Sequence, residues 1–205
     1  YCSVLVKTRE GRPVKIEGNK LSPITKGGTS ARAQASVLSL YDVEKLKGPQ
    51  AGGKDITWEE LDKAVMAGLS GSKGIRLVTN TVMSPSALSV ISSFIAKYPT
   101  AQHLTYDAAS AAGLIEANLI SFGQAVVPSY HFDKASVIVG VNCDFLGNWL
   151  SPIEFAGQWA ETRKLNSLQG GKKTMSRHYQ FETGMTITGG AADYRSMIKP
   201  SEEGK

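Results

Sequence analysis

From Ile75 onward the sequence alternates between short apolar runs and longer helical patterns, and this alternation limits the fold more than any other feature. "IRLVTNT" reads as a buried strand. "SPSALSVISSFIAKYP" reads as a helix with Ser84 at its N-cap, Pro85 at the first helical position and Pro99 as its stop. "AQHLTY" is a second strand pattern, and "AASAAGLIEANLISFG" is a helix pattern closed by Gly123. "KASVIVGVN" is a continuous apolar strand pattern, followed after a loop by the helix pattern "SPIEFAGQWAETRKL". Strands joined by crossover helices run parallel, and parallel strands are covered on both faces. The pattern therefore predicts an α/β fold built on a Rossmann-like parallel sheet with flanking helices.

The segment ahead of this region is different in kind. Val4 to Lys7 and Val14 to Glu17 alternate around Glu10-Gly11, which predicts a small N-terminal β-hairpin. Residues 21–32 read as loop. "ARAQASVLSLYD" carries small and apolar residues at mixed helical spacing. "DITWEELDKAVMAGL" is a clearer helix, with Thr57 and Glu60 forming a capping box and Leu61, Ala64 and Val65 on one face. "KGPQAGGK" between them predicts a hinge. The expected division is a hairpin, loop and helix unit over 1–47, a connecting helix over 48–72, and the α/β domain over 73–205.

Composition removes several classes of function. Of 205 residues, 41% are apolar and 20% charged, which is enough for a globular core. The net charge of +5 comes without a lysine/arginine block interleaved with aromatics, so no nucleic-acid partner is expected. No apolar run approaches the about 18 residues of a membrane span, so no direct span is expected. Cys2 and Cys143 stand far apart, which excludes a disulfide scaffold and a self-contained zinc motif. The chain opens without methionine and closes on "KPSEEGK", as a piece of a longer protein would.

The local motifs mostly favour structural roles. Gly74 precedes its strand, whereas a dinucleotide fingerprint would follow it, and no phosphate-binding GxxxxGK[ST] occurs. Cys143 and Asp144 fall after the third strand, where ligands of open α/β sheets sit. With no neighbouring histidine, Cys143 reads as a small packed residue and Asp144 as the cap of a turn. His103, His131 and His178 share no helical spacing and read as ordinary surface or hydrogen-bonded histidines, His131 and His178 in loops. The stretch from Lys172 to His178 reads as a solvated loop. Trp149, Phe155 and Trp159 fit a helix packing face.

Taken in order, several segments resemble the amino-terminal region of molybdopterin oxidoreductases of the dimethyl-sulfoxide-reductase and formate-dehydrogenase type. These are "CSVLVKTREGRPVKIEGN", "KGGTS", "QASVLSLYDVEKLKGP", "TWEELDKAV", "FDKASVIVGVN" and "ADYRSMIKPSEE". That family carries a glycine-arginine hairpin with an "EGN" turn, a Gly-x-x-Cys, "LYDPDRLxxP" and "WDEAL" in the same order, together with a [4Fe-4S] cluster held by four cysteines. Cys2 matches one cluster ligand, and Ser30 stands where the last would be. A serine oxygen is a poor replacement for a thiolate on iron. With "SAAGL" aligned, the family's molybdenum-ligand position falls on Tyr106, beside Asp107. Ser201-Glu202-Glu203 replaces the Gly-Thr-Asp that approaches the guanine nucleotide of the cofactor.

These departures resemble those of the molybdopterin-enzyme-like region in the large periplasmic iron–sulfur subunit of alternative complex III, a quinol:cytochrome c oxidoreductase. The resemblance implies a scaffold without catalytic, metal-binding or cofactor-binding residues of its own. Its iron–sulfur clusters would lie in the remainder of the parent protein, in a C-terminal ferredoxin-like region. Its partners would be that region, cytochrome c and quinol-oxidising membrane subunits, on the periplasmic side of the bacterial inner membrane. The alternative implied by the same family is an active enzyme fragment lacking only the cluster. In that case Asn142 and Gly147 would lie near the pterin nucleotide, and Asp107 would ligate the metal.

Overall fold

The computed structural model describes residues 2–164 and 175–205. Its elements begin with β1 (Val4–Arg9), β2 (Arg12–Gly18), α1 (Ala31–Ala35) and a 3-10 turn at Ser36–Leu40. They continue with β3 (Gln50–Ala51), β4 (Lys54–Asp55), α2 (Trp58–Ser70), β5 (Ile75–Thr79), α3 (Pro85–Lys97), β6 (Ala101–Thr105) and α4 (Ala112–Phe122). The last third holds β7 (Val137–Val141), α5 (Pro152–Glu161), β8 (Arg177–Glu182), α6 (Ile187–Ala191) and β9 (Tyr194–Met197). The α/β class expected from the alternation is the class observed. The parallel strands are divided between two sheets among the described residues: β5 pairs with β6, and β7-β8-β9 pair in that order.

The local signals act as expected where they are chemical rather than statistical. Thr57 and Glu60 form the reciprocal capping box that starts α2. The Ser84 hydroxyl accepts from the Ala87 amide ahead of α3, and Pro85 fills its first turn. Gly123 ends α4 at φ 70°, a left-handed position that glycine adopts without strain. The hairpin turn places both Glu10 and Gly11 at positive φ, the geometry that matches strand twist in a two-residue loop.

Contacts divide the chain into two compact units, one made of 1–43 with 129–205 and the other of 44–128. These cuts differ from the joints expected near 47 and 72. The expected hinge "KGPQAGGK" is instead a tight ribbon, β3 against β4, turned by Gly52 and Gly53 at positive φ. The N-terminal hairpin groups with the last third because its following loop presses on α5: a Cβ on Gly28 would lie 2.8 Å from the Ile153 side chain.

In the first unit, Ile138 of β7, Phe145 and Phe155 of α5 form the core. Tyr130, Phe132, Trp149 and Trp159 pack around them, with Phe132 stacked on Phe145 at 4.4 Å. Burying one such aromatic stabilises by about 1.5–3 kcal/mol. Trp149, Phe155 and Trp159 are thus packing residues, as their spacing suggested. In the second unit only Ala101 is buried among the described residues. Its helices α2, α3 and α4 bury none.

β8 corrects the reading of the Lys172–His178 stretch as a solvated loop. Lys172, Lys173 and Thr174 lie outside the described residues, but Ser176 and His178 are buried. The strand "RHYQFE" alternates in reverse: His178, Gln180 and Glu182 face inward, while Tyr179 and Phe181 are half-buried. A strand with its polar side inside escapes a search for apolar alternation.

Candidate functional site

Three places could carry the chemistry that the sequence suggests, and each is built by a different piece of backbone. The first is the corner holding Cys2 and Ser30. Pairing of Val4 with Gly18 brings Ser3 beside Asn19, whose amide and side chain both bond to it at 3.0 Å. Gly18 in turn lies against the backbone of Gly27, where a Cβ would be 1.8 Å from the Gly27 carbonyl oxygen. Only glycine admits so close a backbone approach. Three residues on, Ser30 sits in extended backbone as the N-cap of α1, and its Oγ accepts from the Ala33 amide at 3.1 Å. Thr29 Oγ1 accepts from Gln34 Nε2 at 2.7 Å, fixing the same turn. The oxygen in the cysteine position is committed to a helix end. The residues present here do not fit an iron–sulfur cluster.

The second place is the carboxyl end of β5 and β6. The Tyr106 amide donates to the Thr79 carbonyl at 2.8 Å, and Tyr106 is 71% exposed. Asp107 faces Thr81: one carboxylate oxygen accepts from the Thr81 amide at 2.7 Å, and the other accepts from its hydroxyl. The Thr81 hydroxyl, with the amide second, draws the Asp107 carboxyl below its ordinary value. Asp107 therefore clamps two loops together, and both oxygens that could ligate a metal are engaged. His103 lies on β6 with Nε2 2.8 Å from Thr79 Oγ1, a hydrogen-bonded histidine as expected.

The third place is the carboxyl end of β7 and β8. Asn142 ends β7 at φ 47°, and its amide donates to Phe181. Its side-chain oxygen accepts from the Thr183 amide at 2.9 Å, and its NH2 donates to Thr183 Oγ1 at 3.2 Å and to a Glu203 carboxylate oxygen. Thus a residue of the Ser201-Glu202-Glu203 segment occupies the amide expected to face a nucleotide. Gly147 is not open toward a ligand either, since a Cβ there would be 2.0 Å from Asp144 Oδ2. Asp144 Oδ1 accepts from the Thr188 amide at 3.1 Å and hydroxyl at 2.7 Å, and the Asp144 carbonyl receives three amides of the following turn.

Cys143 is half-buried beside a pocket of about 420 Å³ walled by Tyr130, Phe132, Phe145 and Trp149. Burial pushes its thiol up, and the Asp144 charge adds to that. A thiol held protonated is a poor nucleophile. Cys143 and Asp144 thus behave as the packed residue and turn cap of the sequence reading.

Sequence reasoning missed the polar layer beneath this surface. Glu182 is fully buried; it accepts from Arg195 Nε at 2.5 Å and from Thr186 at its amide (3.2 Å) and hydroxyl (2.7 Å). Burial pushes the Glu182 carboxyl up, but the bonds from Thr186 and Arg195 together hold it below its usual value. Gly189 exists for this contact, because a Cβ there would be 1.8 Å from the carboxylate. His178 corrects its assignment to a loop: it lies on β8, fully buried, with Nε2 3.3 Å from Gln180 Oε1 and with no hydrogen-bond partner for Nδ1 among the described residues. Burial pushes its pKa down. Asp193 accepts the His178 amide at 2.8 Å and both terminal nitrogens of Arg163 at 3.0 and 2.7 Å. His131 is exposed in the stretch before α5, 3.6 Å from Asp133. Among the described residues, no three histidine, cysteine or acidic side chains converge as metal ligands. No helix of the described residues is long and apolar enough to cross a membrane.

No protein-family model matches the chain. Among curated proteins it is similar to the menaquinone reductase, molybdopterin-binding-like subunit, of Nitratidesulfovibrio vulgaris (strain Hildenborough). The two are 38% identical over 76 residues, covering 35% of this chain and 11% of that protein. The match thus spans about a tenth of the relative's length. Sequence order and this partial identity together relate the chain to molybdopterin-oxidoreductase-like proteins.

Proposed function

We propose that this chain is a cofactor-free, molybdopterin-oxidoreductase-like scaffold domain of a quinone-linked respiratory complex on the periplasmic side of a bacterial inner membrane. The relative's name, a molybdopterin-binding-like subunit of a menaquinone reductase, supports the setting. The observation that carries the absence of cofactor is Ser30: its oxygen caps α1 where the family places a cluster thiolate. The engagement of Asp107 with Thr81 and of Asn142 with Thr183 and Glu203 supports the same reading at the metal and nucleotide positions. A complex of the alternative complex III type, or of the menaquinone reductase type, would use this domain to hold cluster-bearing regions and membrane subunits in register. Electron transfer would then run through iron–sulfur clusters elsewhere in the parent protein, between a quinone pool and an acceptor such as cytochrome c.

Elemental analysis and pterin fluorescence of the purified domain test this directly. Neither iron, molybdenum nor pterin is expected in stoichiometric amount, and finding any of them so defeats the reading. A second check is functional: Tyr106→Phe in the intact complex should leave quinone-linked turnover within about twofold of the unsubstituted protein, because no transition-state contact is lost. A large drop in turnover with the fold intact would show that Tyr106 touches reacting groups.

A further inference from the structure

The first 43 residues hold seven lysines and arginines against three acids, which is a net +4 of the chain's +5. No two of these cations are adjacent in sequence; the hairpin brings four of them together. In the hairpin, Lys7 stands directly opposite Lys15, and Arg9 directly opposite Arg12. Like charges at directly opposed positions of an antiparallel pair destabilise it. Every residue of β1 is exposed. Lys7, Arg9 and Lys15, with Thr8, Val14 and Glu17, line one concavity of about 660 Å³. Lys15 is tethered, donating to the Ile16 carbonyl at 3.1 Å and to Gln34, and lies 3.9 Å from Glu17. Among the described residues, no ion pair engages Lys7, Arg9 or Arg12.

A two-stranded ribbon is marginal alone, and two opposed cation pairs weaken it further. Lysine on an exposed ribbon also blunts edge-to-edge pairing. The repulsion between the opposed rows is relieved by anions, of which Glu17 supplies one beside Lys15; Lys7, Arg9 and Arg12 are left for an acidic partner to meet. We infer that the cationic face of the β1–β2 hairpin docks an acidic protein surface, with aspartate or glutamate side chains entering the concavity between Lys7, Arg9 and Lys15. Two features favour a protein over an anionic lipid surface. The cations are fixed at strand spacing, about 7 Å along β1 and about 5 Å across the ribbon. The interposed Glu10 and Glu17 reduce the attraction of a diffuse anionic plane below that of the lysine- and arginine-only clusters that recognise lipid.

The inference rests on the reading of the chain as one subunit of a larger complex, and its failure is distinguishable: metal or pterin in the domain would overturn that reading without bearing on cross-links. The test uses the complex purified from native membranes and treated with a carbodiimide, which joins a lysine to a carboxylate in contact with it. Mass spectrometry should find Lys7 or Lys15 joined to an aspartate or glutamate of a second polypeptide. The double variant Lys7→Glu/Arg9→Glu provides the control for folding, because it places opposite charges across from Lys15 and Arg12 and should stabilise the hairpin. The same variant should release the subunit from the complex with an affinity at least about tenfold weaker, since like charges would then meet across the interface. Cross-links confined to Glu10 or Glu17, unchanged retention of the variant, or purification with no second polypeptide would each overturn the proposal. So would loss of binding to phosphatidylglycerol vesicles by a variant that stays in the complex, which would identify a lipid surface instead.

Discussion

The two parallel sheets end in opposite ways. Along the inward side of β8, up to its carboxyl end, runs a buried polar layer in which Glu182, Gln180 and His178 are no more than 1% exposed and Arg195, Thr186 and Thr188 satisfy the carboxylates of Glu182 and Asp144. Behind the carboxyl ends of β5 and β6 there is no such layer: the Asp107–Thr81 clamp is exposed, and the unit buries only Ala101 among the described residues. The same strand-to-loop geometry can therefore be fixed by interior polar chemistry or by a surface clamp over an open framework. What separates them is whether losing one partner leaves a charge stranded in low dielectric.

Arg195→Ala should show the largest effect. It leaves the buried Glu182 carboxylate without its cation, so unfolding by urea should register a loss of about 3–5 kcal/mol. A loss below about 1 kcal/mol would mean that Thr186 alone satisfies Glu182, and the contrast between the two sheets would weaken. Next comes acid sensitivity. Burial holds the His178 pKa below the ordinary 6.5, so the unfolded chain takes up a proton that the folded one does not. Stability from this group is complete above pH 6.5 and declines as pH falls below it. Denaturation midpoints at pH 7.5 and 5.5 should therefore differ, and His178→Gln should narrow the difference; equal midpoints in the unsubstituted protein would show that His178 is solvated. The smallest effect belongs to the second unit, where Thr57→Ala removes the α2 capping box at about 1 kcal/mol. Calorimetry that resolves a cost above about 3 kcal/mol would indicate a hidden core around α2.

The parts of this molecule that could be read in advance are those where one residue's own chemistry dictates the backbone. Thr57, Ser84, Pro85 and Gly123 placed helix ends, and Glu10-Gly11 placed the hairpin turn. The strands of 75–79 and 137–141 were legible as apolar runs, and that of 101–105 as a short strand pattern between two helices. β8 was not, because its inward side is histidine, glutamine and glutamate, and β9 is short with every residue exposed. At the candidate site the sequence identified the substituted positions, but it could not show where their oxygens would turn. Asp107 was legible as a possible ligand, and its capture by Thr81 depends on two loops meeting across 26 residues. Likewise nothing local to Asn142 announces Glu203, 61 residues on.

The N-cap at Ser30 has a consequence for durability. A hydroxyl bonded to a helix amide neither gains nor loses electrons and needs no iron to hold its shape. This turn of the protein therefore closes without waiting on any metal, and the bond that closes it offers no thiolate to an oxidant.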